Sequence, residues 1–79
     1  VGAHFWNPPH LMPLVEVISA EQTTPGLDQD VADLLRSIGK IAVLCRDVPG
    51  FIGNRLLHAL FREAAYMVQS GICTAEAVD

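Results

Sequence analysis

The chain reads as an α/β fold, and three observations predict it. Two apolar β-prone runs, Leu14-Val15-Glu16-Val17-Ile18 and Ile41-Ala42-Val43-Leu44-Cys45, flank one amphipathic segment. The spacing of run, helix and run is that of a βαβ crossover, which is right-handed and pairs its strands in parallel. A longer helical pattern then begins after the turn Asp47-Val48-Pro49-Gly50, where the periodicity changes.

Each element has a local reason. Val1 to Phe5 is short, apolar and β-prone, the end of a strand. Residues 7–13 hold Pro8, Pro9 and Pro13, and proline fixes φ, so this loop is stiff for its length. It is too short for a parallel crossover. The strands it joins are therefore antiparallel, or not direct neighbours. Thr24-Pro25 opens a helix over 25–38, with Thr24 as N-cap and Pro25 at the first helical position. Asp28 and Asp30 suit its positive end, and Leu27, Val31, Leu34, Leu35 and Ile38 form one apolar stripe. Gly39 ends it. Residues 41–45 then read as a buried strand. A second helix runs from Phe51 to about Gln69, with Ile52, Leu56, Leu60 and Ala64 on one stripe, and Ser70-Gly71 stops it. Thr74 caps a third helical start.

With 79 residues the chain is one small domain at most, and a chain of this size buries only about 60% of the surface it exposes when unfolded. It begins with Val, its first residues read as core strand, and its last lie inside a helix. It is therefore expected to be a piece of a longer protein. At 51% hydrophobic and 18% charged, the composition is globular and argues against disorder. The net charge of −4 excludes a basic nucleic-acid face. No apolar run approaches the ~20 residues of a membrane span, and no targeting segment is visible. Cys45 and Cys73 are isolated thiols, read as reduced packing residues of an intracellular, cytoplasmic protein rather than a disulfide or metal pair.

The residues that can carry chemistry are few. Glu16 interrupts an apolar strand and shares a face with Leu14 and Ile18. Either it is buried and paired, because an ionised carboxylate in an apolar site is costly otherwise, or it reaches water at a strand end. His4 lies twelve residues earlier, across the stiff loop. If the loop brings the strands together, Glu16 can accept a hydrogen bond from one imidazole nitrogen and leave the other to take a proton. That arrangement suits proton abstraction from an alcohol. No Ser or Cys nucleophile stands beside it, which disfavours acyl transfer. Asn54 sits in Gly50-Phe51-Ile52-Gly53-Asn54-Arg55, at a helix start whose free N–H groups favour polar or anionic groups. Ordinary capping is the plainer explanation there, as a local turn bond is for Asn7. His10 and His58 lack a helical partner for a metal site and read as surface or packing residues. Arg55, Arg62 and Glu63 read as a solvated face.

Three motifs together resemble a known family. His4-Phe5-Trp6-Asn7-Pro8, Leu14-Val15-Glu16-Val17 and Asp47-Val48-Pro49-Gly50-Phe51-Ile52-Gly53-Asn54-Arg55 are similar, in order and spacing, to the 3-hydroxyacyl-CoA dehydrogenases. The resemblance spans essentially the whole chain. It implies the C-terminal part of a Rossmann-type NAD-binding domain, residues 1–48, followed by the first helices of an all-α domain, residues 49–79, which often makes a homodimer. It implies NAD as cofactor and reversible oxidation of a 3-hydroxyacyl-CoA to a 3-oxoacyl-CoA, as in fatty acid β-oxidation. By the same resemblance His4 is the general base, Glu16 its orienting carboxylate, Asn54 a holder of the substrate oxygen, and Asn7 a support of the loop. The Gly-rich dinucleotide fingerprint is not in these residues, nor is the acidic residue about 20 positions beyond it, so this stretch by itself is expected neither to grip NAD nor to turn over. Members acting on carnitine or gulonate often carry Pro directly after the histidine. Phe5 stands there here, which leans towards the acyl-CoA type, while Trp6 is less usual than Phe at its position.

Overall fold

The computed structural model describes all 79 residues. Three strands and three helices follow in the order β1 (Gly2–Phe5), β2 (Leu14–Ser19), α1 (Leu27–Ser37), β3 (Ile41–Arg46), α2 (Gly53–Gln69) and α3 (Ala75–Val78). The sheet order is β1-β2-β3. β1 and β2 are antiparallel neighbours, with His4 opposite Glu16, and β2 and β3 are parallel, with Glu16 opposite Val43. The α/β class and the βαβ crossover expected from the sequence are both present.

The stiff loop works as the prolines suggest. Pro8 O accepts from Leu11 N and Met12 N at 2.9 and 2.8 Å, and Lys40 Nζ donates to Pro9 O at 2.6 Å. The Asn7–Pro8 peptide is cis. At the loop's end Ile41 N donates to Pro13 O at 2.9 Å, which ties the start of β3 to the start of β2.

Both long helices start two residues later than expected. The first does so because Leu27 N donates to Thr24 O at 3.0 Å in a turn, and Gly26, at φ 86°, is the N-cap in the left-handed region. Thr24 is therefore a turn residue and Pro25 lies outside the helix. The second is delayed because Gly50 and Phe51 are both left-handed, at φ 78° and 49°, and Phe51 N donates to Val48 O at 3.0 Å. Helix ends were more legible. Gly39 N bonds Arg36 O and Lys40 N bonds Leu35 O, and Gly71 N bonds Val68 O and Ile72 N bonds Met67 O. Each is a paired closure around a left-handed glycine that satisfies carbonyls of the last turn.

The core is small. Val15, Val17 and Ala42 of the sheet pack on Ala32 and Leu35 of α1, with Val31 beside them. The expected α1 stripe is thus only partly inward: Leu34 and Ile38 are exposed, and Ala32, outside that stripe, is fully buried. β3 is not the buried strand expected from its apolar run. Ala42 is buried, but Ile41, Val43 and Leu44 are exposed, because β3 is an edge strand with one face on α1. α2 has no buried residue. The Cα radius of gyration is 16.6 Å, against about 12 Å for a compact domain of this length. The extension comes from α2 and α3 standing off a sheet whose covered face is the one towards α1.

Candidate active site

The second face of β2 carries the site. Val15 and Val17 point to α1, so Glu16 points the other way, and residues directly opposite in an antiparallel pair share a face. His4 therefore stands beside Glu16, and Trp6, two residues on, lies on the same side. Trp6 N donates to Leu14 O at 3.2 Å, which continues the ladder one step past Phe5.

Glu16 is 1% exposed and accepts four hydrogen bonds. Oε1 receives His4 Nδ1 and Trp6 Nε1, both at 2.9 Å. Oε2 receives the backbone N–H groups of Ile52 at 2.7 Å and Gly53 at 3.1 Å. A carboxylate has about four acceptor sites, and here all are filled. Burial pushes the Glu16 carboxyl up, but the bonds from His4, Gly53, Trp6 and Ile52 together outweigh it and hold the group at about 2, against 4.5 ordinarily. Glu16 is thus the buried, paired carboxylate of the two readings left open by the sequence.

The ionised state of Glu16 fixes the tautomer of His4. A carboxylate only accepts, so Nδ1 of His4 must carry the proton in this bond. Neutral His4 then has its lone pair on Nε2, and the side chain is 40% exposed. Phe51 packs against the imidazole with ring centroids 5.6 Å apart and planes inclined by 58°.

The first turn of α2 meets the sheet here. Free N–H groups at a helix start attract anions, and the anion they hold is the side chain of Glu16. The Gly53 signal in the sequence thus points inward to a residue of the same chain. Gly53 is also a close-approach glycine: a Cβ built on it would overlap Cζ2 and Cη2 of Trp6. Trp6, Glu16, Gly53, Ile52, Leu14 and Leu56 are among the residues lining an apolar cavity of about 360 Å³. A larger open hollow of about 890 Å³ lies at the carboxyl ends of β2 and β3, lined by Ser19, Asp28, Arg46 and Asp47 among others, and none of His4, Glu16, Asn7 or Asn54 lines it.

Of the four expected site residues, the structure joins His4 and Glu16 directly. Asn54 is the second residue of α2, next to Gly53 and exposed, and Asn7 is exposed in the loop after β1. Neither bonds the His4–Glu16 pair. His10, His58, Arg55, Arg62 and Glu63 are exposed, as read from the sequence. Trp6, Phe51 and Ile52 touch the pair without having been singled out in the sequence, whereas Gly53 is marked there as an open helix start. The signal that could have found Trp6 was its indole donor two residues from His4 on the same strand face. Cys45 and Cys73 are free thiols, no group of three metal-ligating side chains is present, and no helix is long and apolar enough to cross a membrane.

Comparison with known proteins agrees with this picture. Residues 1–48 match the family model of the 3-hydroxyacyl-CoA dehydrogenase NAD binding domain, and residues 50–79 that of the C-terminal domain. The whole chain aligns at 48% identity with a 5-formyl-3-hydroxy-2-methylpyridine 4-carboxylate 5-dehydrogenase of Mesorhizobium japonicum, covering 26% of that protein. It aligns at 43% identity over its full length with a probable 3-hydroxybutyryl-CoA dehydrogenase of Bacillus subtilis, covering 28% of it. A crystal structure of a 5-formyl-3-hydroxy-2-methylpyridine 4-carboxylic acid 5-dehydrogenase, an NAD+ dependent dismutase, superposes with a TM-score of 0.91 at 47% identity, over 99% of this chain and 26% of that one. The chain spans about a quarter of the length of these relatives. Three-stranded sheet, matched models and aligned relatives agree that this chain belongs to the 3-hydroxyacyl-CoA dehydrogenase family and carries the end of its NAD-binding domain and the start of its C-terminal domain.

Proposed function

We propose that this chain supplies the acid–base half of an NAD-dependent dehydrogenase that reversibly oxidises a 3-hydroxyacyl-CoA to a 3-oxoacyl-CoA. The observation that carries the reading is the 2.9 Å bond from His4 Nδ1 to a buried, ionised Glu16, which leaves the lone pair on Nε2. In the forward direction Nε2 of His4 takes the hydroxyl proton as the carbinol C–H bond breaks and the C=O forms. Glu16 holds the ring in register and stabilises the imidazolium that results. NAD, when bound, supplies the hydride acceptor. The residues present fit only part of that cofactor's needs: they offer the base, and none of their glycines forms the phosphate-binding fingerprint.

In this reading residues 1–48 close the NAD-binding domain and residues 49–79 open the helical domain, with the left-handed pair Gly50-Phe51 at the junction. Asn54, exposed one residue beyond Gly53, holds the substrate oxygen, and Asn7 supports the loop that carries His4. Exposed Leu56, Leu60 and Phe61 on α2 support the homodimer that the resemblance implies.

A second reading has its own support. The relative at 48% identity acts, by its name, on a pyridine carboxylate and not on a CoA ester, so the substrate can be a non-CoA hydroxy compound. Phe5 after His4 leans the other way. Assaying the full-length protein with acetoacetyl-CoA and NADH, and with carnitine, gulonate and the hydroxypyridine carboxylate under NAD, separates the two. The CoA reading expects kcat/KM for the acyl-CoA to exceed the others by orders of magnitude. Turnover confined to a non-CoA compound overturns it.

A further inference from the structure

We propose that Trp6 is a positioning residue for the His4–Glu16 pair: its indole N–H holds the carboxylate in the orientation in which Oε1 faces the imidazole. This rests on the reading of His4 as the base. Glutamate has three side-chain torsions, and the two backbone donors at Oε2 fix one end of the group only. Oε1 is steered by His4 and Trp6 together, each at 2.9 Å. During turnover the His4 ring changes charge and contacts substrate, so it is the mobile member of the pair. Trp6 is the fixed one.

The fixation of Trp6 is visible on three sides. Its backbone N–H is bonded to Leu14 O at 3.2 Å. Its six-membered ring lies where a Cβ on residue 53 would stand, so the absence of a side chain on Gly53 makes its place. Its Nε1 is aimed at a carboxylate oxygen that is almost fully buried. A phenylalanine could occupy the same apolar wall beside Leu14 and Leu56. It would bring no donor, and Oε1 would keep one partner instead of two. Trp6 thus adds to the site a fixed dipole that no other side chain touching Glu16 supplies.

The test uses the full-length protein with Trp6→Phe and, separately, with β-(3-benzothienyl)alanine at position 6. The second residue keeps the shape of indole and replaces N–H by sulfur, so the ring's packing against Gly53 is kept while the donor is lost. Three readouts are taken: kcat and KM for NAD and for substrate, the imidazole Nδ1–H proton resonance of His4, and the melting temperature. Mispositioning of a catalytic group lowers kcat by roughly ten- to a hundredfold. The expected result is a fall of that order in both variants, KM for NAD unchanged, and a displaced or exchange-broadened His4 resonance at near-native melting temperature in the benzothienyl protein. Wild-type kcat together with an unmoved His4 resonance in the benzothienyl protein overturns the proposal. A displaced resonance in a protein whose turnover survives His4→Ala retains the role of Trp6 and overturns the assignment of the base.

Discussion

Glu16→Gln is the most informative single change, because it keeps the shape of the side chain and removes half of its acceptors. Four N–H donors converge on the carboxylate, two on each oxygen. A glutamine amide offers one oxygen and one NH2; with the NH2 at the Oε1 place His4 can shift its tautomer and accept, but Trp6 Nε1 still faces a donor. An unsatisfied buried donor costs about 1–3 kcal/mol, which gives about 2 kcal/mol for the orphaned indole. The charge supplies an independent figure. A carboxyl held at about 2 when folded and 4.5 when unfolded contributes about 3 kcal/mol of stability, at roughly 1.4 kcal/mol per unit. Because the folded value is the lower one, this contribution is fully present above pH 4.5 and is lost as pH falls through 2. Urea unfolding of the full-length protein and its Glu16→Gln variant at pH 7, 5 and 3 is the assay. The variant is expected to be less stable by about 2–3 kcal/mol at pH 7 and 5, and the gap to close to roughly half at pH 3. A variant as stable as wild type at pH 7, or a gap that does not change between pH 5 and 3, would refute the four-bond account of Glu16.

Two further outcomes follow from the same geometry. Gly53→Ala puts a methyl into the Trp6 ring, and Trp6 cannot move away without losing its bond to Glu16, so unfolding should become easier by about 2 kcal/mol or more, whereas an alanine variant of native melting temperature would mean the ring and the helix start are not in contact. Asn54→Ala leaves the fold untouched, since the residue is exposed and unbonded to the pair, and is expected to lower kcat/KM for the hydroxy substrate by roughly tenfold with an unchanged melting temperature; wild-type kinetics would remove Asn54 from the site.

Much of the fold could be read from the sequence because it is written in local terms. The alternation around Glu16, the stiff 7–13 loop and the Gly39 and Gly71 stops each act within a few residues, and each appears in the structure as expected. Helix starts were less legible. Thr24-Pro25 and Gly50-Phe51 form turns with left-handed residues, and those turns compete with helix at the same positions. The His4–Glu16 pair was legible because a register of two antiparallel strands makes a spacing of twelve residues a contact. The other half of the carboxylate's surroundings was not. Ile52 and Gly53 act through backbone N–H groups of a helix start that reads as anion-favouring, but the anion they hold is Glu16, 36 and 37 positions away. Trp6 was hidden differently: an indole in an apolar stretch looks like core, and its single donor acquires meaning only once Glu16 is known to lie within reach. The exposed apolar residues of β3 and α2 escaped because the patterns that mark a buried strand or an amphipathic helix do not say what covers the apolar side.

In the proposed reaction His4, held through Nδ1 by Glu16, is the base. That role is decided by the steady-state turnover of the full-length His4→Ala protein, measured beside its binding of NAD. A fall in kcat of roughly 10²–10⁴-fold with NAD affinity unchanged is expected, since His4 is not part of a glycine-rich phosphate-binding turn. Turnover at the wild-type rate would contradict it.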